Sequence, residues 1–158
     1  MNKSKIEWCD YSLNPVKGLC PMACDYCYAR AMYKRFKWNP EIRFDISVFD
    51  KCGYLEVCHS DPQRIFVGST MELFGDWIKD EWLEAIFDAT SDYPNHRFLF
   101  LTKQPQNLIK WGPLPENAYI GVTATNQRQY DDALKYLKEV KAKVKFLSFE
   151  PLLEHIEV

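Results

Sequence analysis

Three of the six cysteines in this chain fall within eight positions, in the segment LCPMACDYCYAR. Cys20, Cys24 and Cys27 follow the spacing C-x3-C-x2-C, so the last two are three positions apart and the first reaches them from a loop. Thiolates at this spacing are typical ligands of a metal ion or an iron–sulfur cluster. The segment is therefore the first place in the chain to look for chemistry.

The number of thiols limits the kind of metal centre. A structural zinc site takes four protein ligands, so zinc would need Cys58 or His59 to complete the set. A 4Fe-4S cluster held by three thiolates leaves one iron without a protein ligand, where a substrate or cofactor can bind. As a third alternative, the three thiols are incidental and bind no metal centre. An open coordination position indicates a metal centre that takes part in a reaction and not only a structural one.

The cellular compartment bears on the same choice. The first ten residues, MNKSKIEWCD, lack the apolar stretch of a signal peptide, and no run of 18 apolar residues is present. We therefore expect a cytoplasmic protein with no membrane partner, in which thiols are mostly reduced and a disulfide framework is disfavoured. The scattered Cys9, Cys52 and Cys58 are expected to be small buried or partly buried hydrophobic residues.

Short apolar runs alternate with longer amphipathic segments and must position the cysteine loop. This alternation, in a chain of 158 residues, predicts a single domain with a parallel sheet buried on both faces. On the last helix, the predicted apolar face consists of Tyr130, Leu134, Leu137 and Val140. The predicted strands lie at 11–16, 64–70, 96–102, 118–124 and 143–151, and the predicted helices at 25–36, 80–92, 105–111 and 127–141.

The predicted strands share a chemical feature where they end. Their last residues read NPVKG, GSTMEL, LTKQP, GVTATN and SFEP, so every apolar run finishes in polar or charged side chains. In parallel α/β sheets, ligands bind beyond the carboxyl ends of the strands. These side chains and the cysteine loop are therefore expected to face one common opening.

At this point the residues carry a resemblance to a known family. The segment CPMACDYCYAR, with an aromatic residue before the third cysteine, resembles the cluster loop of the radical SAM superfamily. The segments KIEWCDYSLNPVKGLC, RIFVGSTMELFGD, FLFLTKQP, IGVTATNQ and FLSFEPLL are similar to a phage-associated, uncharacterised branch of that superfamily. The resemblance covers nearly the whole chain.

The resemblance implies a cofactor set and a reaction. In the superfamily, three cysteines hold a 4Fe-4S cluster, and its fourth iron is chelated by S-adenosylmethionine. An external one-electron donor then drives reductive cleavage of this cofactor to a 5′-deoxyadenosyl radical. By this resemblance, Cys20, Cys24 and Cys27 are the cluster ligands, and the substrate is unknown.

The resemblance also implies which other side chains meet the cofactor. The STME segment falls where the amino group of the cofactor is received, and the TATN segment where its ribose is bound. Thr125 departs from the branch, in which an acidic residue is more typical at this position. Without a cofactor, Tyr26 would be a helix-packing aromatic residue and Glu72 a charge at a helix N-terminus. The implied cofactor-binding residues are Tyr26, Ser69, Thr70, Glu72, Thr123, Thr125, Asn126 and Glu150.

The superfamily fold implies a partial (βα)6 barrel of the TIM type. Only five strands are predicted before the chain stops, so we expect a barrel truncated after about five strands, without the last strand and the segment that caps it. On this expectation a separate chain supplies the missing part, or the truncation abolishes the activity.

Three functional classes are left open by the sequence: a radical SAM enzyme, a zinc-stabilised binding module, and a cluster-bearing phage accessory protein without turnover. The formal net charge of −2 gives no overall electrostatic attraction for nucleic acid. A nucleic-acid partner would need a local patch, for which the basic residues between Lys34 and Arg43 are the available surface.

Overall fold

The computed structural model describes residues 1–53 and 61–158. Its strands are β1 (Asn2–Lys3), β2 (Tyr11–Leu13), β3 (Val16–Lys17), β4 (Arg43–Phe44), β5 (Arg64–Val67), β6 (Arg97–Thr102), β7 (Ala118–Thr123) and β8 (Val144–Ser148). Its α-helices are α1 (Tyr28–Phe36), α2 (Asp80–Ser91) and α3 (Gln127–Leu137), and two 3-10 segments lie at Ile46–Phe49 and Pro105–Leu108.

The main sheet is mostly parallel. Strands β2, β5, β6, β7 and β8 lie side by side in chain order and are parallel, and β1 adds an antiparallel edge beside β2. Near the carboxyl ends, Leu13 lies opposite Val67, and Thr123 lies opposite Ser148. The parallel sheet expected from the sequence is confirmed, whereas the truncated (βα)6 barrel stays a prediction.

The core forms on the face of the sheet that α2 covers. Phe98, Phe100 and Ile120 point to this face and are completely buried, whereas Leu101 points to the other face and is only partly buried. Helix α2 buries Leu83, Ile86, Phe87 and Thr90, which are spaced so that they share one helical face. The ring of Phe87 lies 5.4 Å from that of Phe100, so this face packs directly on the sheet.

Some predicted elements differ from the structure. The helix expected at 25–36 begins at Tyr28, because Cys27 is its N-cap and the preceding residues form a turn. The helix expected at 105–111 is the short 3-10 segment at 105–108. On α3, Leu134 is 39% exposed and Ala133 is fully buried in its place. Helix α3 packs on this 3-10 segment and on β7, where the small Ala133 fits.

The short strands were not predicted. β1 has two residues, and β3 and β4 form a separate antiparallel pair of two residues each, too short to give a hydrophobic period. Cys9 and Cys52 are buried, as expected, whereas Cys58 and His59 lie outside the described residues. In the ranges that are described, no helix has the length and apolar character needed to cross a membrane.

Candidate functional site

The cysteine loop is anchored at both of its ends. At its start, Gly18 has a φ of +130°, and a Cβ there would lie 2.6 Å from the Glu41 carbonyl oxygen, so the position requires glycine. The Gly18 N–H donates to the Tyr33 hydroxyl at 2.7 Å. Further along, the Arg30 guanidinium donates to the Cys20 carbonyl at 2.8 Å. Helix α1, which carries Arg30 and Tyr33, therefore holds the loop in place.

Two of the three thiols accept hydrogen bonds from the backbone. The Glu72 N–H donates to the Cys20 Sγ at 3.4 Å, and the Arg30 N–H donates to the Cys27 Sγ at 3.5 Å as the N-cap interaction of α1. Burial raises the pKa of the Cys20 thiol, and the charges of Glu72 and Cys27 act in the same direction. Donors at the sulfur oppose this rise, and they would stabilise a metal-bound thiolate.

The three thiols face one cavity of about 500 Å³. The cavity lies beyond the carboxyl ends of the parallel strands, where the sequence predicted a common opening. Of the predicted cofactor-binding residues, it is lined by Tyr26, Ser69, Thr70, Glu72, Thr123 and Glu150. Thr125 and Asn126 are not among its lining residues.

The described side chains form no convergent set of ligands for a single metal ion. Within residues 1–53 and 61–158, no three His, Cys, Asp or Glu side chains converge closely enough to hold one metal ion. Zinc needs such convergence on one point, whereas the three thiolates of a 4Fe-4S cluster each bind a different iron. Cluster binding by the three thiols on the wall of this cavity stays a prediction. The zinc ligands proposed at Cys58 and His59 lie outside the described residues.

The Glu72 carboxylate joins the loop after β5 to the end of β6. It accepts hydrogen bonds from the Thr102 hydroxyl at 2.8 Å and from the backbone N–H groups of Lys103 and Phe74 at 2.8 and 3.1 Å. Only 8% of the residue is exposed, and this burial raises its pKa, against the effect of its donors. Glu72 therefore fixes the cavity wall, and its contact with a cofactor amino group stays a prediction.

The loop after β5 is held by a residue that the sequence analysis missed. The Asn14 side chain is 3.1 Å from the Ser69 hydroxyl, and its Oδ1 accepts from the Thr70 N–H at 3.2 Å. The Ser69 carbonyl in turn accepts from the Tyr28 hydroxyl at 2.7 Å. Asn14 directly follows β2, so this network joins the ends of two neighbouring strands and the start of α1.

The residues after β7 have separate structural tasks. Thr123 lines the cavity and is 3% exposed. The Thr125 hydroxyl donates to Gln129 Oε1 at 2.9 Å and also contacts the Tyr26 side chain. Asn126 is the N-cap of α3, and its side chain accepts from the Gln129 N–H at 2.9 Å. Roles of these three residues at a ribose stay predictions, with Thr123 the best placed of them.

Tyr26 and Lys103 lie together on the cavity wall. Burial, followed by the negative charge of Cys24, raises the pKa of Tyr26 to about 12. The Lys103 ammonium lies 6.0 Å from the centre of the Tyr26 ring, within range of a cation–π contact. Lys103 was not among the predicted site residues. Its position directly after β6, in the segment LTKQP, is the sequence signal that could have identified it.

Glu150 and Trp8 lie side by side on the cavity wall. Glu150 is exposed, lines the cavity, and accepts a long hydrogen bond of 3.5 Å from the Trp8 indole N–H. Trp8 also packs on Phe66 with 4.9 Å between ring centres. This part of the wall therefore combines an apolar surface with one available carboxylate. Trp8 was not among the predicted site residues, although it lies in the segment KIEWCD that carries part of the resemblance.

The fold is similar to that of a known enzyme. Spore photoproduct lyase complexed with dinucleoside spore photoproduct has a TM-score of 0.67 and 17% sequence identity to the chain, over 92% of this chain and 46% of the lyase. A mutant of that lyase with bound AdoMet and dinucleoside spore photoproduct gives a TM-score of 0.69 and 16% identity, over 93% and 47%. The chain spans about half the length of these structures.

The sequence comparisons identify the family. No curated protein matches the chain. The likeness to spore photoproduct lyase supports the fold that the radical SAM resemblance implied, at an identity too low to assign an activity. Residues 3–158 match the family model described as "Protein of unknown function (DUF5131)", and the chain belongs to this family.

Proposed function

We propose that this protein is a radical SAM enzyme of the cytoplasm, with a partial (βα)6 barrel, whose cavity binds a 4Fe-4S cluster and S-adenosylmethionine. The observation that carries the proposal is the location of the three thiols of Cys20, Cys24 and Cys27 on the wall of one cavity at the carboxyl ends of the parallel strands. The AdoMet bound to a protein of similar fold supports the choice of cofactor.

The bound cofactors would supply one chemical capacity, the reductive cleavage of S-adenosylmethionine to a 5′-deoxyadenosyl radical with an electron from an external donor. The protein would supply ligands, orientation and shielding. The three thiolates hold the cluster, and the backbone donors at Cys20 and Cys27 stabilise their negative charge. The loop anchors at Gly18 and Arg30 keep the three sulfurs in a fixed arrangement.

The remaining cavity residues are suited to bind the polar parts of S-adenosylmethionine. Lys103 carries a positive charge that can pair with the cofactor carboxylate, and the Ser69 and Thr70 hydroxyls can hydrogen-bond to its polar groups. We expect Thr123, which lines the cavity, to hydrogen-bond to a ribose hydroxyl. Glu150, on the cavity wall, is available to the cofactor or to the unknown substrate.

The test is anaerobic reconstitution with iron and sulfide, followed by addition of S-adenosylmethionine and a chemical reductant. We expect a brown protein with broad visible absorbance, a change in the electron paramagnetic resonance spectrum on binding S-adenosylmethionine, and formation of 5′-deoxyadenosine. A colourless protein that binds one zinc ion would contradict the proposal. A full cluster that neither responds to S-adenosylmethionine nor cleaves it would indicate a phage accessory protein without turnover.

A further inference from the structure

A second surface rich in functional groups lies at the far end of α1 from the cavity. We call it the basic-aromatic surface and define it as Lys34, Arg35, Phe36, Lys37, Trp38 and Arg43, all of which are exposed. Helix α1 begins at Tyr28 beside the cavity, and its nine residues end about 13 Å further on. The surface is therefore separate from the proposed cofactor site.

The charge of this region is opposite to that of the whole protein. Residues 28–44 contain five basic side chains and one acidic side chain, a net charge of +4, whereas the full chain carries −2. The remaining residues therefore carry a net charge of −6. A protein that is acidic overall but has one basic patch presents a local site for a polyanion.

The cations of the surface are not used in ion pairs within the described part of the chain. The four salt bridges found there involve Lys17, Arg64, Lys110 and Lys143. The Arg43 guanidinium donates to the backbone carbonyls of Asn39 and Glu41, which holds it in position without neutralising its charge. The Arg35 guanidinium lies 5.2 Å from the centre of the Phe36 ring, a cation–π contact that does not neutralise its charge. The positive charges are therefore available to a partner.

Two aromatic rings stand between these cations. Phe36 is 52% exposed and Trp38 is 43% exposed, and their rings are nearly parallel with centres 5.6 Å apart. The chain reverses at Lys37, with a φ of 51°, and the Trp38 N–H donates to the Tyr33 carbonyl at 3.3 Å. This helix cap explains why Trp38 packs against Tyr33. It does not explain why Phe36 is exposed or why cations surround it.

We propose that the basic-aromatic surface binds single-stranded nucleic acid, with bases stacking on Phe36 and Trp38 and phosphates paired with the four cations. Proteins that bind single strands combine these two features, since every base has a face that can stack and every linkage carries a negative charge. Rings and cations alternate here along the segment KRFKW. A membrane-binding helix would instead place them on opposite faces.

The test uses a fluorescein-labelled oligothymidylate of about 20 nucleotides and fluorescence anisotropy at about 50 mM salt. The patch variant combines Lys34→Gln, Arg35→Gln and Lys37→Gln. Its matched control combines Lys135→Gln, Lys138→Gln and Lys141→Gln, which removes three exposed charges near α3. We expect binding by the patch variant to weaken about tenfold or more, and its salt slope to fall by about 2. The control should change affinity less than about twofold.

The contribution of base stacking to binding is tested by substitutions of Phe36. We expect Phe36→Leu to weaken binding by about fivefold, because base stacking on an aromatic ring is lost, and Phe36→Tyr to retain binding. Absence of oligothymidylate binding by the wild-type protein, or equal losses in the patch variant and its control, would overturn the proposal. So would self-association that Phe36→Leu abolishes, or binding of anionic vesicles in preference to the oligonucleotide.

Discussion

Two cavities of similar size lie at opposite ends of the parallel strands, and their chemistry differs. The cavity at the amino ends has a volume of about 540 Å³, and the cavity at the carboxyl ends about 500 Å³. The first is lined by Pro62, Pro94 and Pro115 and by the ion pair of Lys143 with Glu116 at 2.6 Å. The second is lined by three thiols and by the polar strand ends.

Polar groups at the amino ends mainly join the structure together. The Asn117 amide donates to the carbonyls of Thr90 and Tyr93, both at 3.0 Å, and so ties the start of β7 to the end of α2. Asp10 receives three hydrogen bonds from Arg64. At the carboxyl ends, similar networks leave sulfur, hydroxyl and ammonium groups facing the cavity. The donor set, and not the volume, therefore distinguishes the two cavities.

The largest expected effect tests whether only the carboxyl-end thiols hold iron. Cys20→Ala, Cys24→Ala and Cys27→Ala should each reduce the iron and sulfide content after reconstitution from about four of each per chain to near zero. Cys9→Ala and Cys52→Ala should retain the wild-type content, because both thiols are buried away from the cavity. Full iron content in all three single variants of the cluster loop would contradict the assignment.

The next effect concerns the buried carboxylate that supports the cavity wall. Glu72→Ala removes the partner of three donors and should lower the free energy of unfolding by about 2 kcal/mol. It should also weaken the response of the cluster spectrum to S-adenosylmethionine without removing the cluster. Urea denaturation at about pH 7 measures the first effect. The exposed control Glu84→Ala should stay within about 0.5 kcal/mol of wild type.

Two asparagines at opposite ends of the strands allow a structural role to be tested separately from a role in cofactor binding. Asn14 and Asn117 each bridge neighbouring segments, at the carboxyl and the amino ends respectively. Each change to Ala should cost about 1–2 kcal/mol in unfolding free energy. Only Asn14→Ala should also weaken S-adenosylmethionine binding, measured by calorimetry on the reconstituted protein. Equal losses of binding in both variants would remove the distinction between the two ends.

The smallest expected effect is electrostatic and lies at the amino ends. The Arg64 guanidinium lowers the pKa of Asp10 below its ordinary value of 3.8. The stabilisation is therefore fully present above about pH 4 and is lost as the pH falls through the lowered pKa. Because both side chains are about one third exposed or more, Asp10→Asn should cost only about 1 kcal/mol at neutral pH.

The stabilities of wild type and Asp10→Asn should converge once the pH falls below the lowered pKa of Asp10. A stability difference that does not change with pH would show that the hydrogen-bond geometry, and not the charge, accounts for the cost. Reconstitution of the cluster should be unaffected, since Asp10 does not line the carboxyl-end cavity.

Much of the architecture could be predicted from local sequence pattern. The five parallel strands follow from apolar runs such as RFLFLT, and α2 from its periodic Leu83, Ile86 and Phe87, because burial requires these patterns. Strand ends were predicted too long, since polar residues such as Ser69 and Thr70 already belong to loops. The exposed Leu134 shows that a helical period alone does not decide which flank of a helix packs inward.

By itself, the sequence determined the ligand types: three thiols at a fixed spacing, and polar residues at every strand end. Only the tertiary structure decided how they are used. It buried Glu72 under donors from β6, committed Asn126 to a helix cap, and brought Lys103 to Tyr26. These contacts join residues distant in the chain. Which side chains meet at the common edge depends on the register of the parallel strands, which no local pattern specifies.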